Sequence, residues 1–310
     1  GDYGNFVYTA TGNPVTLRAP DRPGPHEVRY VSGQSNTTLA RTRVEVTPVE
    51  ASLQAPAKAQ AGSTIRVAWQ GPDNPDDYVT IVKSDSGEGS YDNFTYTAKG
   101  NPATLKTPDK PGSYELRYNT GQSNRTLATR PIEVSPASAS VDAPAQVTAG
   151  SNFAVEWRGP DNQDDYVTVV KADASAGTYG EFAYTHSGNP VTVRAPDSPG
   201  DYEVRYLTGQ SNSTLASTAI EIIAPEVSLS GPESAKAGSR IQVQWQGPDN
   251  QDDYITVVRA DAPEDRYVNF TYTHAGNPLG LRLPDQPGEY ELRYLTGQSN
   301  RLLARQPITV

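Results

Sequence analysis

Three closely spaced aspartates, Asp73, Asp76 and Asp77, recur as Asp161, Asp164 and Asp165, and again as Asp249, Asp252 and Asp253. With the neighbouring asparagines and backbone carbonyls they offer hard oxygen ligands of the kind Ca2+ takes. The pattern is not that of an EF-hand loop, and three local carboxylates fall short of the six to eight oxygens that Ca2+ prefers. The competing reading is a solvated acidic turn, because Asp and Asn hydrogen-bond their own backbone and tolerate positive φ. A second recurring set comprises Gly100, Asn101, Pro102, Gln122, Asn124, Gln210, Asn212, Gln298 and Asn300. It reads as turn chemistry, as a repeated joint with the preceding domain, or as a ligand site. Catalysis fails on inventory. The three histidines, His26, His186 and His274, match Tyr or Ala in other copies, and no nucleophile–base–acid set recurs. With Cys absent there is no thiol nucleophile and no thiolate metal site. Lys83 and Lys171 become Arg259, which argues against an isopeptide crosslink in every copy.

These residues are positioned by a repeat. Gly-Gln-Ser-Asn begins at Gly33, Gly121, Gly209 and Gly297, a step of 88 residues, and Trp69, Trp157 and Trp245 keep the same step without insertion or deletion. A fixed period of this kind takes precedence over any local signal. Whole repeats fall at 49–134, 137–222 and 225–310, and residues 1–46 match only the second half of one, strands D to G. A half-sandwich exposes its core face. The expectation is therefore that upstream residues or another chain supply the missing strands. That makes the chain a segment of something longer or a protomer of something assembled.

Within 137–222, Phe153, Val155 and Trp157 alternate with polar residues, Tyr166 to Val170 is a β-branched run, and Val191, Val193 and Ala195 share a face, as do Tyr202, Val204 and Tyr206. Period-two alternation broken by Pro, Gly, Asn and Asp clusters predicts an antiparallel sandwich of seven strands, A to G, in each repeat. Trp69, Trp157, Trp245, Tyr114, Tyr202 and Tyr290 are the expected core markers, and Phe94 with Tyr96 is placed in the core too, an aromatic platform for glycan being the alternative. The pairs Glu27/Arg29, Glu115/Arg117, Glu203/Arg205 and Glu291/Arg293 read as a solvated cross-strand ladder, or as a lateral contact in a filament. Asn-x-Thr sequons begin at Asn36, Asn93, Asn124, Asn212 and Asn269 and read as incidental in a Thr-rich chain.

The segment from Pro196 to Val204, repeated at Pro108 and Pro284, resembles the tyrosine corner of immunoglobulin-like folds, with Tyr202 two residues before an inward Val204. His26 replaces the tyrosine in the first copy and should weaken the corner there. The whole chain resembles the tandem Ig-like repeats of bacterial secreted and surface proteins, of the type found beside von Willebrand A-type domains. No Asp-x-Ser-x-Ser metal motif of such a domain is present. The resemblance implies an all-β chain of tandem seven-stranded Ig-like sandwiches, and the short linkers holding Pro48, Pro136 or Pro225 limit flexing and so predict that they stack as a semi-rigid linear rod.

Hydrophobic content is 35%, net charge is −10 and both sulfur residues are absent. An acidic surface repels phosphates and anionic lipid, which argues against nucleic acid or membrane partners. No apolar run approaches a membrane span, and none reads as a signal peptide. The expected role is a non-enzymatic stalk, filament or matrix element, extracellular, at the cell surface or in the periplasm, with other copies or neighbouring repeats as partners and no cofactor. The alternative is an adhesin dependent on Ca2+ or binding surface glycan.

Overall fold

The computed structural model describes residues 4–310. Contacts divide the chain into two compact units, Gly1–Ala137 and Ser138–Val310.

The first unit opens with the hairpin β1 (Gly24–Val31) and β2 (Thr38–Val46). A complete repeat follows: β3 (Ser52–Gln54), β4 (Lys58–Gln60), β5 (Thr64–Gln70), β6 (Tyr78–Lys83), β7 (Asn93–Tyr96), β8 (Ala103–Lys106), β9 (Gly112–Asn119) and β10 (Thr126–Ser135). β3, β5 and β8 form one sheet, and β4, β10, β9, β6 and β7 form the other. This is an immunoglobulin-like sandwich. The expected strand A is divided into β3 and β4. Pro56 lies between them and has no N–H to give a ladder. β3 pairs antiparallel with β5, whereas β4 crosses to the opposite sheet and pairs parallel with β10. The fourth expected strand, β7, bonds β6 and so joins this second sheet.

The second unit repeats the plan twice. Its first repeat holds β11 (Ser140–Asp142), β12 (Gln146–Thr148), β13 (Asn152–Arg158), β14 (Tyr166–Lys171), β15 (Phe182–Tyr184), β16 (Val191–Arg194), β17 (Gly200–Leu207) and β18 (Thr214–Ile223). Its second holds β19 (Ser228–Ser230), β20 (Arg240–Gln246), β21 (Tyr254–Arg259), β22 (Asn269–Tyr272), β23 (Leu279–Arg282), β24 (Glu289–Leu295) and β25 (Leu302–Thr309). In this last copy the counterpart of β4 shrinks to one parallel bridge, Ser234 to Thr309.

Each complete repeat has its own core. Val67, Val79, Ile81, Leu116, Tyr118 and Val134 are fully buried in the first, and matching clusters form in the others. Tyr114, Tyr202 and Tyr290 are buried, and their hydroxyls donate to the carbonyls of Lys110, Ser198 and Gln286 at 2.8–3.0 Å. His26 reaches the equivalent carbonyl, Arg22 O, through Nε2 at 2.9 Å, so the substitution keeps the bond of the corner. The three tryptophans sit at the rim of the core, half-buried against Tyr118, Tyr206 and Tyr294.

Residues 4–46 depart from the expected strands D to G, because only the last two strands form. In complete repeats the fourth strand bonds β6 and the fifth bonds β5. Residues 4–46 contain neither partner, so their counterparts of β7 and β8 have no ladder to join, while β1 and β2 pair with each other. Among the described residues no helix is long and apolar enough to cross a membrane.

Candidate functional site: a carboxylate joint between repeats

A buried hub first fixes the loops at one end of each repeat. Asp77 is 1% exposed. Its Oδ2 accepts from the Asn74 N–H and the Tyr118 hydroxyl, both at 3.0 Å, and its Oδ1 from the Gly121 N–H at 2.9 Å. The Tyr118 hydroxyl in turn accepts the Asp73 N–H at 3.0 Å. Asp165 with Tyr206, and Asp253 with Tyr294, repeat the arrangement. The approach is close enough that a Cβ on Gly71 would stand 2.7 Å from the Tyr118 ring. Burial, reinforced by the adjacent carboxylates, pushes the Tyr118, Tyr206 and Tyr294 hydroxyls well above the usual phenol range. Burial also pushes the Asp253 carboxyl up, against the opposing pull of its three donors.

This geometry departs from the expectation of a Ca2+ cluster. Asp73, Asp76, Asp161, Asp164, Asp249 and Asp252 occupy positive-φ turn positions, and the third aspartate of each set is the buried one. Both of its oxygens are already occupied by protein donors. Among the described residues no three His, Asp or Glu side chains converge as a metal site would require.

The hub braces the loop that carries the joint. In the first unit, Asp21 Oδ2 accepts from Thr120 Oγ1 at 2.5 Å and Ser123 Oγ at 2.6 Å. Arg125 Nη1 donates to Asp21 O at 2.9 Å, the Asp21 N–H donates to Gln122 Oε1 at 3.1 Å, and Arg18 Nη2 donates to Pro75 O at 3.0 Å. In the second unit, Asp197 Oδ2 accepts from Thr296 Oγ1 and Ser299 Oγ, both at 2.5 Å. Arg301 Nη1 donates to Asp197 O at 2.6 Å and Arg194 Nη2 to Gln251 O at 3.1 Å. Asn250 Nδ2 donates to Ala149 O at 3.1 Å, and a Cβ on Gly150 (φ +76°) would collide with that amide. Burial disfavours the Asp21 anion, but hydrogen bonds from Ser123 and Thr120, its own N–H and the charge of Arg125 outweigh it and hold the carboxyl below the usual range. A hydroxyl pair on a carboxylate forms short, charge-assisted bonds, roughly twice as strong as neutral ones.

The expected interface residues divide accordingly. Gln122 lies in the joint. Gln298 also crosses between repeats but takes a different partner, donating to Glu181 of the preceding repeat at 3.0 Å, and its Oε1 has no partner among the described residues. Asn124, Asn212 and Asn300 accept from the hydroxyls of Tyr78, Tyr166 and Tyr254 of their own repeats. Gln210 is an exposed residue of its loop. Among the described residues, Gly100 and Asn101 bond within their own repeat. Asn101 clamps the Trp69 backbone from both sides, and Gly100 O accepts the indole N–H at 3.2 Å. The sequence reading missed Asp21 and Asp197. The signal was the recurring Pro-Asp-x-Pro-Gly, which was absorbed into the turn of the tyrosine corner.

Two surface expectations are corrected. Arg117 is 4% exposed. It pairs with Glu115 and donates to Ser86 O and Gly87 O, as Arg205 and Arg293 do in their copies, so it pins the loop after β6 over the sheet and is no solvated ladder. Phe94 and Tyr96, placed in the core by the sequence, are about two-fifths exposed (43% and 40%) and form an edge-to-face row with Tyr91. The row recurs at Tyr179, Phe182 and Tyr184, and at Tyr267, Phe270 and Tyr272.

No protein-family model and no curated protein matches the sequence. Among solved structures the chain is similar to the FN1–FN3 domains of chicken CNTN1 (12% identity, 84% of this chain and 97% of that one, TM-score 0.27). It is also similar to three N-terminal domains of the bacteriophage RB49 Highly Immunogenic Outer Capsid protein (13%, 84% and 97%, 0.26), and to invasin, a bacterial integrin-binding protein (10%, 89% and 63%, 0.22). At these scores it is the sheet order described above that carries the fold.

Proposed function

We propose that the chain is a non-enzymatic spacer of an extracellular or cell-surface protein, in which the carboxylate joint locks residues 4–46 to the repeat 49–134, and the repeat 137–222 to the repeat 225–310. The observation that carries this reading is the recurrence of the joint atom for atom. Asp21 with Thr120, Ser123 and Arg125 in one unit becomes Asp197 with Thr296, Ser299 and Arg301 in the other. A catalytic or ligand pocket has no need of a motif that spans two repeats, whereas a joint requires one. The test is 15N relaxation of the full chain. Residues 137–222 and 225–310 should tumble as one body, and Asp197→Ala should give them separate correlation times. Independent tumbling in the unaltered chain would overturn the reading.

A second reading, a glycan-binding adhesin, is favoured by the exposed aromatic row. Rings left in water at the same three places in every complete repeat are the kind of patch that marks a binding surface. Calorimetry against a panel of oligosaccharides, with Tyr96→Ala, Tyr184→Ala and Tyr272→Ala combined as control, tests it. Heat that the triple variant abolishes supports it, and silence across the panel removes it.

A further inference from the structure

We infer that the cleft beside Glu181 is a binding site for an uncharged saccharide, one per chain. This deepens the adhesin reading and rests on it, narrowing it to one place.

A single exchange between copies makes the site. Asn5, Asn93 and Asn269 share one position of the repeat, and Glu181 holds it in 137–222. Each asparagine spends its amide on a carbonyl of its own repeat, Asn5 on Arg18 O at 2.9 Å, Asn93 on Lys106 O at 3.1 Å and Asn269 on Arg282 O at 3.2 Å. A carboxylate has no N–H to give. Glu181 Oε1 instead accepts from Gln298 Nε2 of the following repeat at 3.0 Å.

That bond can be exchanged at small cost. Gln298 Oε1 is buried with no partner among the described residues, and a buried acceptor without a donor is unfavourable. Gln122, at the same position of its repeat, uses both ends of its amide. It donates to Ala19 O at 3.3 Å and accepts from the Asp21 N–H at 3.1 Å. Ala195 and Asp197 stand where Ala19 and Asp21 do. A ligand hydroxyl that takes over Glu181 therefore releases Gln298 to the arrangement of Gln122.

Glu181 and Gln298 line a cleft of about 430 Å3 together with Lys171, Thr178 and Tyr179. The Tyr179 ring is 56% exposed, and from it the aromatic row runs on to Phe182 and Tyr184 at centroid spacings of 6.1 and 5.3 Å. Glu181 calls for hydroxyl or N–H donors. The Lys171 ammonium, 4.4 Å from the centre of the Tyr202 ring, calls for an acceptor. The Tyr179 ring calls for an apolar C–H face. An anion is repelled by Glu181 and by the net charge of −10, and a cation has to sit against Lys171. A saccharide meets the three demands without charge, because its hydroxyls both donate and accept and its ring carries a C–H face.

The experiment is titration calorimetry of the full chain against oligosaccharides of glucose, mannose, galactose and N-acetylglucosamine. Binding of at least one of them at one site per chain is expected. Glu181→Asn installs the residue of the other copies, so the fold should keep it. It should weaken binding about tenfold, the loss of one charge-assisted hydrogen bond. Tyr179→Ala removes a ring already largely in water and should weaken binding too. Three equivalent sites per chain, or binding that either variant leaves unchanged, overturns this site and leaves the adhesin reading to its triple tyrosine variant. Silence across the panel overturns both. Should Glu181→Asn fail to fold, Tyr179→Ala and the stoichiometry still decide.

Discussion

Residues 4–46 and 92–134 carry the same sequence pattern and meet different fates. Val28, Tyr30 and Val44 are 40%, 52% and 40% exposed, whereas their counterparts Leu116, Tyr118 and Ile132 are 0%, 0% and 2% exposed. β1 pairs with β2 as β9 pairs with β10, so the hairpin is present in both. The difference is the facing sheet of β3, β5 and β8, together with β6, which only the complete repeat possesses. Local pattern therefore makes the hairpin, and burial makes the domain.

The largest expected effect is in the core. Leu116→Ala should destabilise its repeat by about 2–5 kcal/mol, as large-to-small changes at buried sites do. Val28→Ala, at the aligned position, should stay within about 0.5 kcal/mol. Denaturant unfolding of each variant measures both, and equal effects would break the comparison. The loop pin comes next. Arg117→Ala strands Glu115 and two loop carbonyls and should cost about 3 kcal/mol, with hydrogen exchange accelerating over residues 84–92. Arg29 pairs with Glu27 at 3.0 Å but is 46% exposed, and Arg29→Ala should be near neutral.

Alkaline pH sharpens the contrast further. Burial pushes the hydroxyls of Tyr166 and Tyr254 from 10.0 to about 12. A group whose folded value lies above its unfolded value contributes stability that is complete below the unfolded value and is lost as pH rises through the folded one. The complete repeats should therefore lose stability between about pH 10 and 12. Tyrosinate absorbance and circular dichroism followed together should show the last phenols ionising only as those repeats unfold. Early ionisation of all 18 tyrosines with the fold intact would contradict this.

The 88-residue step made the repeat legible, and alternation with the tyrosine corner made the sandwich legible. What stayed hidden depends on contacts distant in sequence. Alternation puts Arg117 on the outer face, but it cannot show that residues 86 and 87 fold back over it. It puts Phe94 and Tyr96 on one face without saying that this face is left in water. The joint was hardest to see. Asp21 meets Thr120 and Ser123 across two repeats, and the Pro-Asp-x-Pro-Gly that carries it is a complete turn signal by itself. The Asp cluster could be read as ligands or as a turn, because both uses want carboxylates beside Asn and Gly.

Chelation is the smallest expected effect and it decides between those two uses. A calcium site holds its loops through the ion, so removing the ion lowers the melting temperature by mass action. Asp77, Asp165 and Asp253 hold theirs through Tyr118, Tyr206 and Tyr294 and through backbone N–H groups. Excess EDTA should leave the melting of the complete repeats unmoved, as it should leave residues 4–46, which lack the hub. Tyr118→Phe, by contrast, removes a donor from a buried carboxylate and should cost about 1–3 kcal/mol. A chelator effect confined to the complete repeats would return the aspartates to metal chemistry, whereas a Tyr118→Phe effect without a chelator effect leaves the loops, and the joint they brace, to hydrogen bonds alone.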